Sequence, residues 1–329
     1  MSGLRHQLGF KEESTYGTYV APTTFLHTKG SSLEPVIKRV QAESFRGGQF
    51  AAPAAHYVDT VRGGKGTIPL EVMTTGMGKL LRALMGSSAS AQQAATAAYK
   101  QTHTLADTVV GQSLSVQASR PPRAGGSAVP VTLKGAKVTA AEFECKTDGL
   151  LGASFSLDAQ DWDNTTALAV ASYSNSAVPF GGTSMCVKLG AYGSEASTTG
   201  IKSVKVSIKR NLDTEAYYAC NGALKAEPAE TDWPVEITGS MSQDWAAKTD
   251  IEDLAVAKTS TCLDWVFTGA NIASTYYYTF RLRLPGIIFE PAAQTVAGRD
   301  ILSKDWDFVY RYDGTNTPVI EYITTDTAI

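Results

Sequence analysis

The chain has 329 residues, of which 43% are apolar and 19% charged, and its formal net charge is −3. That length suits two domains of about 150 residues each, with enough apolar content for a full core. The near balance of charge, with no basic run, argues against a protein that grips nucleic acid, and no stretch nears the ~18 uninterrupted apolar residues of a membrane span.

The N-terminal "MSGLRHQLGF" lacks the apolar core of a secretion signal. The four cysteines, Cys145, Cys186, Cys220 and Cys262, lie far apart without paired spacing, so they are expected to be reduced. "KEESTYGTYVAP" (11–22) has neither a helical nor a clean strand period and reads as an extended arm. "PVIKRVQAE" (35–43) is the first long strand, and "RGGKGT" (62–67) reads as a glycine-hinged loop. In "TIPLEVM" (67–73), Ile68, Leu70 and Val72 share one face, and Pro69 hints at a sheet edge. "TTGMGKLLRALMG" (74–86) places Met77, Leu80, Leu81, Leu84 and Met85 on one helical stripe, with Gly86 as its stop. The low-complexity run "SSASAQQAATAAYK" (87–100) reads as an exposed loop.

"LSVQASR" (114–120) is followed by two strands, 137–145 and 152–158, that flank a turn at Asp148-Gly149 and form a hairpin. The small-residue stretch "ALAVASYSNSAVPFGG" (167–182) suits a linker. Beyond it, "SVKVSIK" aligns Val204, Val206 and Ile208, and "VEITGSM" (235–241) is another strand. "KTDIEDLAVAK" (248–258) reads as a second helix, with Thr249 and Glu252 at capping-box spacing and Ile251, Leu254 and Ala255 as its stripe. "YYYTFRLRL" (276–284), "DWDFVYRY" (305–312) and "PVIEYI" (318–323) complete a set of long antiparallel strands with one apolar and one wet face.

No motif supports catalysis. "RGGKGT" separates its lysine from its threonine and precedes a strand, whereas a phosphate loop follows a strand and opens a helix. "DAQDWDN" offers Asp158, Asp161 and Asp163 but lacks the glycine and terminal glutamate of a calcium loop, so an acidic hairpin end or a subunit contact is expected. His6, His27, His56 and His103 form no metal-ligand pair, and there is no Gly-x-Ser-x-Gly elbow. Asn164-Thr165-Thr166 is a glycosylation sequon in form only. No catalytic residue, metal site or cofactor is therefore expected.

The halves share an order of elements. Residues 35–43, 67–73, 114–120 and 137–157 fall against 201–209, 235–241, 280–286 and 305–323, each pair about 168 apart, with a helix after the second strand of each half. This suggests an internal duplication: an arm over 1–30, a first β domain over 31–170 and a second over 171–329. Coincidence between two β-rich halves is the competing explanation.

The stretches "ESTYGTYVAPTTFL", "RGGKGTIPLEVMTTGMGKLLRALMG" and "LKGAKVTAAEFECKTDGLLGASFSLDAQDW" together resemble the tail tube (major tail) proteins of long-tailed bacteriophages. The likeness spans most of residues 8–160, and the second half follows more loosely. The resemblance implies a mainly β fold of tandem tube-type β-sandwich or barrel domains, each flanked by one α-helix. It also implies a structural virion protein, made in the bacterial host cytoplasm, whose rings stack into a tube for DNA ejection. The tape measure protein and DNA would pass through the lumen, with terminator and baseplate proteins at the ends and no membrane partner. Tube rings of this family typically hold six domains. Two domains per chain would therefore give a homotrimeric, pseudo-sixfold ring, and a decorative second half would give a homohexamer. The arm residues Tyr16, Gly17, Tyr19, Pro22 and Phe25 are the expected contacts with a neighbouring subunit, the alternative being a flap folded over its own domain. A carbohydrate-binding or adhesive β-sandwich, with Trp162, Trp233, Trp245, Trp265 and Trp306 as a stacking platform, is the rival reading.

Overall fold

The computed structural model describes residues 5–329 apart from 45, 49, 123–125, 221, 223, 246, 250, 292–302 and 328. Its first half contains β1 (Leu8–Glu12), β2 (Thr24–Phe25), β3 (Ser32–Gln41), β4 (Tyr57–Glu71) and helix α1 (Gly78–Met85). Then come β5 (Gly86–Gln92), β6 (Tyr99–Leu105), β7 (Leu114–Arg120), β8 (Val129–Lys146), β9 (Gly152–Ala159) and β10 (Asp161–Asp163). The second half contains β11 (Met185–Gly190), β12 (Ala196–Ser197), β13 (Ile201–Leu212), β14 (Glu230–Asp244) and helix α2 (Glu252–Val256). It closes with β15 (Thr261–Ala273), β16 (Tyr276–Phe289), β17 (Ser303–Tyr310) and β18 (Val319–Thr324). The protein is mainly β, and the strands pair antiparallel into a sandwich with one contiguous apolar core.

Two-residue alternation sets which face is buried. Ala153, Phe155 and Leu157 of β9 point inward, as do Trp306 and Phe308 of β17. The 18-residue β8 serves both layers. Its first part pairs with β7 and β10, and its second part with β9 and β13. Helix α1 forms as its sequence dictates: Leu80, Leu81, Leu84 and Met85 are buried, and Gly86, at φ +87°, returns its N–H to the Arg82 carbonyl. Helix α2 differs from expectation. Ile251 occupies its N-cap with no side-chain cap bond, so the Thr249–Glu252 capping box is absent.

Three other expectations need correction. Residues 87–100 are not an exposed loop but most of a β5–β6 hairpin. Its small polar residues carry no apolar period, yet β6 is fixed on its outer edge by β18. "RGGKGT" lies inside β4 rather than in a loop. Its glycines let neighbours approach: a Cβ at Gly66 would lie 2.5 Å from Leu33 Cδ2 and 2.6 Å from the Ser32 carbonyl. The N-terminal segment contains regular structure as well. Strand β1 pairs with β2 and β7 and fully buries Leu8 and Phe10.

The strand pairings of the two halves coincide. The ladders β1–β2, β1–β7, β3–β4, β4–β9, β7–β8, β8–β9 and β8–β10 have antiparallel counterparts in β11–β12, β11–β15, β13–β14, β14–β17, β15–β16, β16–β17 and β16–β18. Even an irregularity repeats. The β7–β8 register slips between Leu114↔Ala136 and Val116↔Leu133, and β15–β16 slips alike between Thr261↔Ile287 and Leu263↔Leu284. This pairing corrects the uniform offset of 168: β7 matches β15, not 280–286, and the β8–β9 hairpin matches β16–β17, not 305–323. Gly66 and Gly239 stand 173 residues apart, but Leu114 and Thr261 only 147, because the β5–β6 hairpin has no counterpart between α2 and β15.

Burial also predicts an acid response. His103 on β6 is fully buried near Arg82, and desolvation pushes its pKa from 6.5 down to about 3. The folded state therefore resists protonation that the unfolded chain accepts. The stability His103 protects is complete above pH 6.5 and falls as pH drops towards 3, by at most ~1.4 kcal/mol per pH unit. Urea titrations at pH 7 and pH 4.5 should show a smaller acid loss for His103→Leu than for the wild type. Equal losses would contradict this.

Candidate assembly interface

The arm residues expected to reach a neighbour pack largely on their own chain. Glu13, where β1 ends, is buried and accepts from Ser113 Oγ (2.9 Å), Ser115 Oγ (2.7 Å), Gly135 N (2.9 Å) and Gly17 N (2.9 Å). Those bonds bring the turn at Gly17 (φ +75°) down onto Gln160, leaving no room for a side chain. Tyr16 is half-buried beside Gly135, its ring centroid 5.8 Å from Lys137 Nζ, and burial raises its pKa. Pro22 is buried next to Gly9, and Phe25 is buried edge-on to Tyr173 at 6.1 Å. Tyr19 is partly exposed, and Thr18, Ala21 and Thr23 are exposed.

The junction between the halves is built from other residues. β13 pairs with the second part of β8 from Ser203↔Lys146 to Lys209↔Ala140. At the end of this ladder Arg210 is buried and binds three carbonyls: Leu84 O (Nε, 2.9 Å), Met85 O (Nη2, 2.7 Å) and Ala106 O (Nη1, 2.7 Å). A cation thus meets the last carbonyls of α1, where the helix dipole favours positive charge, and Met85 O also accepts from Ala106 N at 2.7 Å. Burial lowers the Arg210 pKa to about 10, so it stays charged.

Lys225 and Glu227, in the connection from β13 to β14, reach over the first half. Lys225 Nζ meets Asp158 Oδ1 at 2.6 Å, and Glu227 Oε1 meets the buried Lys137 Nζ at 2.5 Å and accepts from Gly111 N at 2.6 Å. Burial pushes the Lys137 pKa down and the Asp158 pKa up, and the opposite charge beside each offsets only part of that. Glu230 adds bonds to the Thr108 hydroxyl and the Val109 N–H. No sequence pattern signals these pairs, because the partners lie 67 to 122 positions apart.

The acidic cluster read from "DAQDWDN" is consumed internally: besides Asp158, Asp161 pairs with Arg62 at 3.1 Å and Asp163 with Lys134 at 3.5 Å. Among the described residues no group of three His, Cys, Asp or Glu is placed to hold a metal. Of the tryptophans offered as a sugar platform, Trp265 and Trp306 are in the core.

The hairpin of the first half is placed quite differently from its counterpart. Among the described residues β3 pairs only with β4 and no strand lies on its other edge, whereas β13 uses the equivalent edge for β8. The outer part of this hairpin exposes Ile37, Val40, Tyr57 and Val58, and Phe50 in the connecting loop is wholly exposed. An unpaired edge beside exposed apolar side chains is the kind of surface through which strands of separate chains associate. A search of curated proteins finds no match to the sequence. The model of the phage tail tube protein family matches residues 3–310, and with nearly its whole length matched the chain belongs to that family.

Proposed function

We propose that the protein polymerises into rings of three chains, stacked as the tail tube of the virion and serving as a conduit for DNA ejection. The observation that carries this is the repeated set of ladders with one junction filled and one open. Within the chain, β13 of the second half completes β8 of the first. The open edge of β3 is the equivalent of the edge β13 uses, so a neighbouring chain's second half can complete the same junction. Two β domains per chain, divided near residue 170, then make a closed, pseudo-sixfold ring in which no strand edge stays exposed. Residues 164–178 contain no strand and suit such a division.

The net charge of −3 fits a lumen that lets DNA pass without binding it. The tape measure protein would occupy the lumen before DNA, with terminator and baseplate proteins capping the tube. Any part the arm plays between subunits rests on Tyr19 and its exposed neighbours, since Tyr16, Gly17, Pro22 and Phe25 serve its own domain. Electron microscopy of the purified full-length protein tests the reading. Rings or tubes with a central hole are expected, and a protein that stays monomeric at high concentration would refute it.

A further inference from the structure

Eight strands run side by side through both halves, hydrogen-bonded in the order β3-β4-β9-β8-β13-β14-β17-β16. Their side chains alternate between two unlike faces. One face sends Ile68, Phe155, Phe143, Val206 and Trp306 into the core, where β7, β15 and α1 bury side chains of their own. The opposite face is wet. Ser154, Ser156, Ser207, Thr238 and Ser240 stand on it, half-buried, between charged residues. Three of its lysines are each held by a carboxylate of the adjacent strand: Lys65 by Glu34 at 3.2 Å, Lys205 by Glu142 at 3.0 Å and Lys209 by Glu236 at 3.6 Å. Glu144, Asp305 and Asp307 are exposed on the same face and enter no ion pair among the described residues, against the unpaired Lys146. The paired lysines are thus cancelled, and the surplus charge is negative.

In a three-chain ring, eight strands per chain close a wall of twenty-four. At ~4.8 Å per strand and a barrel tilt of ~40°, its radius is about 24 Å. The layer across the core packs ~10 Å from that wall. Placed inward, this layer and its side chains would choke the bore, whereas outward it has a wider circumference to fill. We infer that the wet face lines the bore and meets double-stranded DNA, and that Glu34, Glu142 and Glu236 keep Lys65, Lys205 and Lys209 from the phosphates. This rests on the three-chain ring and names the surface along which its DNA would slide. Unpaired, three lysines per chain, repeated around every stacked ring, would bind the DNA backbone and retain it.

The test uses preformed tubes of the full chain, sedimented with a short linear duplex or with a closed circular one at ~50 mM salt. A linear duplex can enter through the open ends, and a circle reaches only the outer wall. Wild-type tubes should retain neither. Replacing Glu34, Glu142 and Glu236 together with glutamine should leave the fold intact, since exposed ion pairs add little to stability. The variant tubes should retain at least about tenfold more linear DNA, lose it by ~200 mM salt, and gain nothing for the circle. Asp305→Lys with Asp307→Lys, which breaks no ion pair, should act alike and serves if the glutamine variant does not assemble. No gain in linear DNA, an equal gain for the circle, or retention by the wild type would overturn the inference. Failure of the wild type to form rings would overturn the tube reading instead.

Discussion

Replacing Arg210 with methionine is expected to lower stability by about 3–5 kcal/mol and to uncouple the two halves. Methionine fills most of the space but donates no hydrogen bond, so Leu84 O, Met85 O and Ala106 O lose their Arg210 partner. Each buried carbonyl left unpaired costs ~1–3 kcal/mol, and because Met85 O keeps the Ala106 N–H at 2.7 Å, the loss falls chiefly on Leu84 O and Ala106 O. The favourable meeting of a cation with the C-terminus of α1 is lost as well. Chemical denaturation should therefore show an earlier transition, and limited proteolysis should cut faster near residues 106–113, beside the freed helix end. Arg210→Lys should recover only part of the loss, because an ammonium does not reproduce the planar fork that spans three carbonyls. A methionine variant as stable as the wild type would show that water replaces those bonds at little cost.

Deletion of residues 1–22 should unfold the first half rather than merely abolish polymerisation. An arm that only joined subunits could be removed without unfolding its own domain. In the structure the deletion removes β1, with Leu8 and Phe10 at 0% exposure, and Glu13 with its four hydrogen bonds. A buried Phe or Leu truncated to Ala costs ~2–5 kcal/mol, and a domain has only ~5–15 kcal/mol to lose. The truncated chain should be largely insoluble, or show a broad transition in place of a cooperative one. A soluble truncation with a sharp wild-type melt would restore the view of the segment as a free arm. The single substitution Phe10→Ala should show the same trend, and its smaller effect is measurable even if the deletion precipitates.

Where side chains alternate strongly, the sequence was readable. Phe155 and Leu157 in β9, Trp306 and Phe308 in β17, and the Leu80–Leu81–Leu84–Met85 stripe of α1 all point as their periods demand. It failed where backbone pairing, not burial, decides conformation. Ser87 to Gln92 carry no apolar period, and only β6, itself fixed by β18 over 200 residues away, makes them a strand. β1 was missed because Leu8 and Phe10 are too few to set a period. One hairpin present in a single half interrupts the constant offset of 168, and only the paired registers bring the later ladders of the two halves into correspondence. The assembly surface was least legible. Lys137 with Glu227 and Lys225 with Asp158 acquire meaning only when the second half folds over the first, and the open β3 edge is defined by what β13 does instead.

The central claim is that one chain supplies two of six equivalent positions in a ring. Cryo-electron microscopy of an assembled tube, resolving the number of chains per ring, tests it most directly. Three chains, with β3 of each completing a neighbour's second half as β13 completes the first half within the chain, is the predicted result. Six chains per ring, or a second half standing outside the tube wall, would contradict the account.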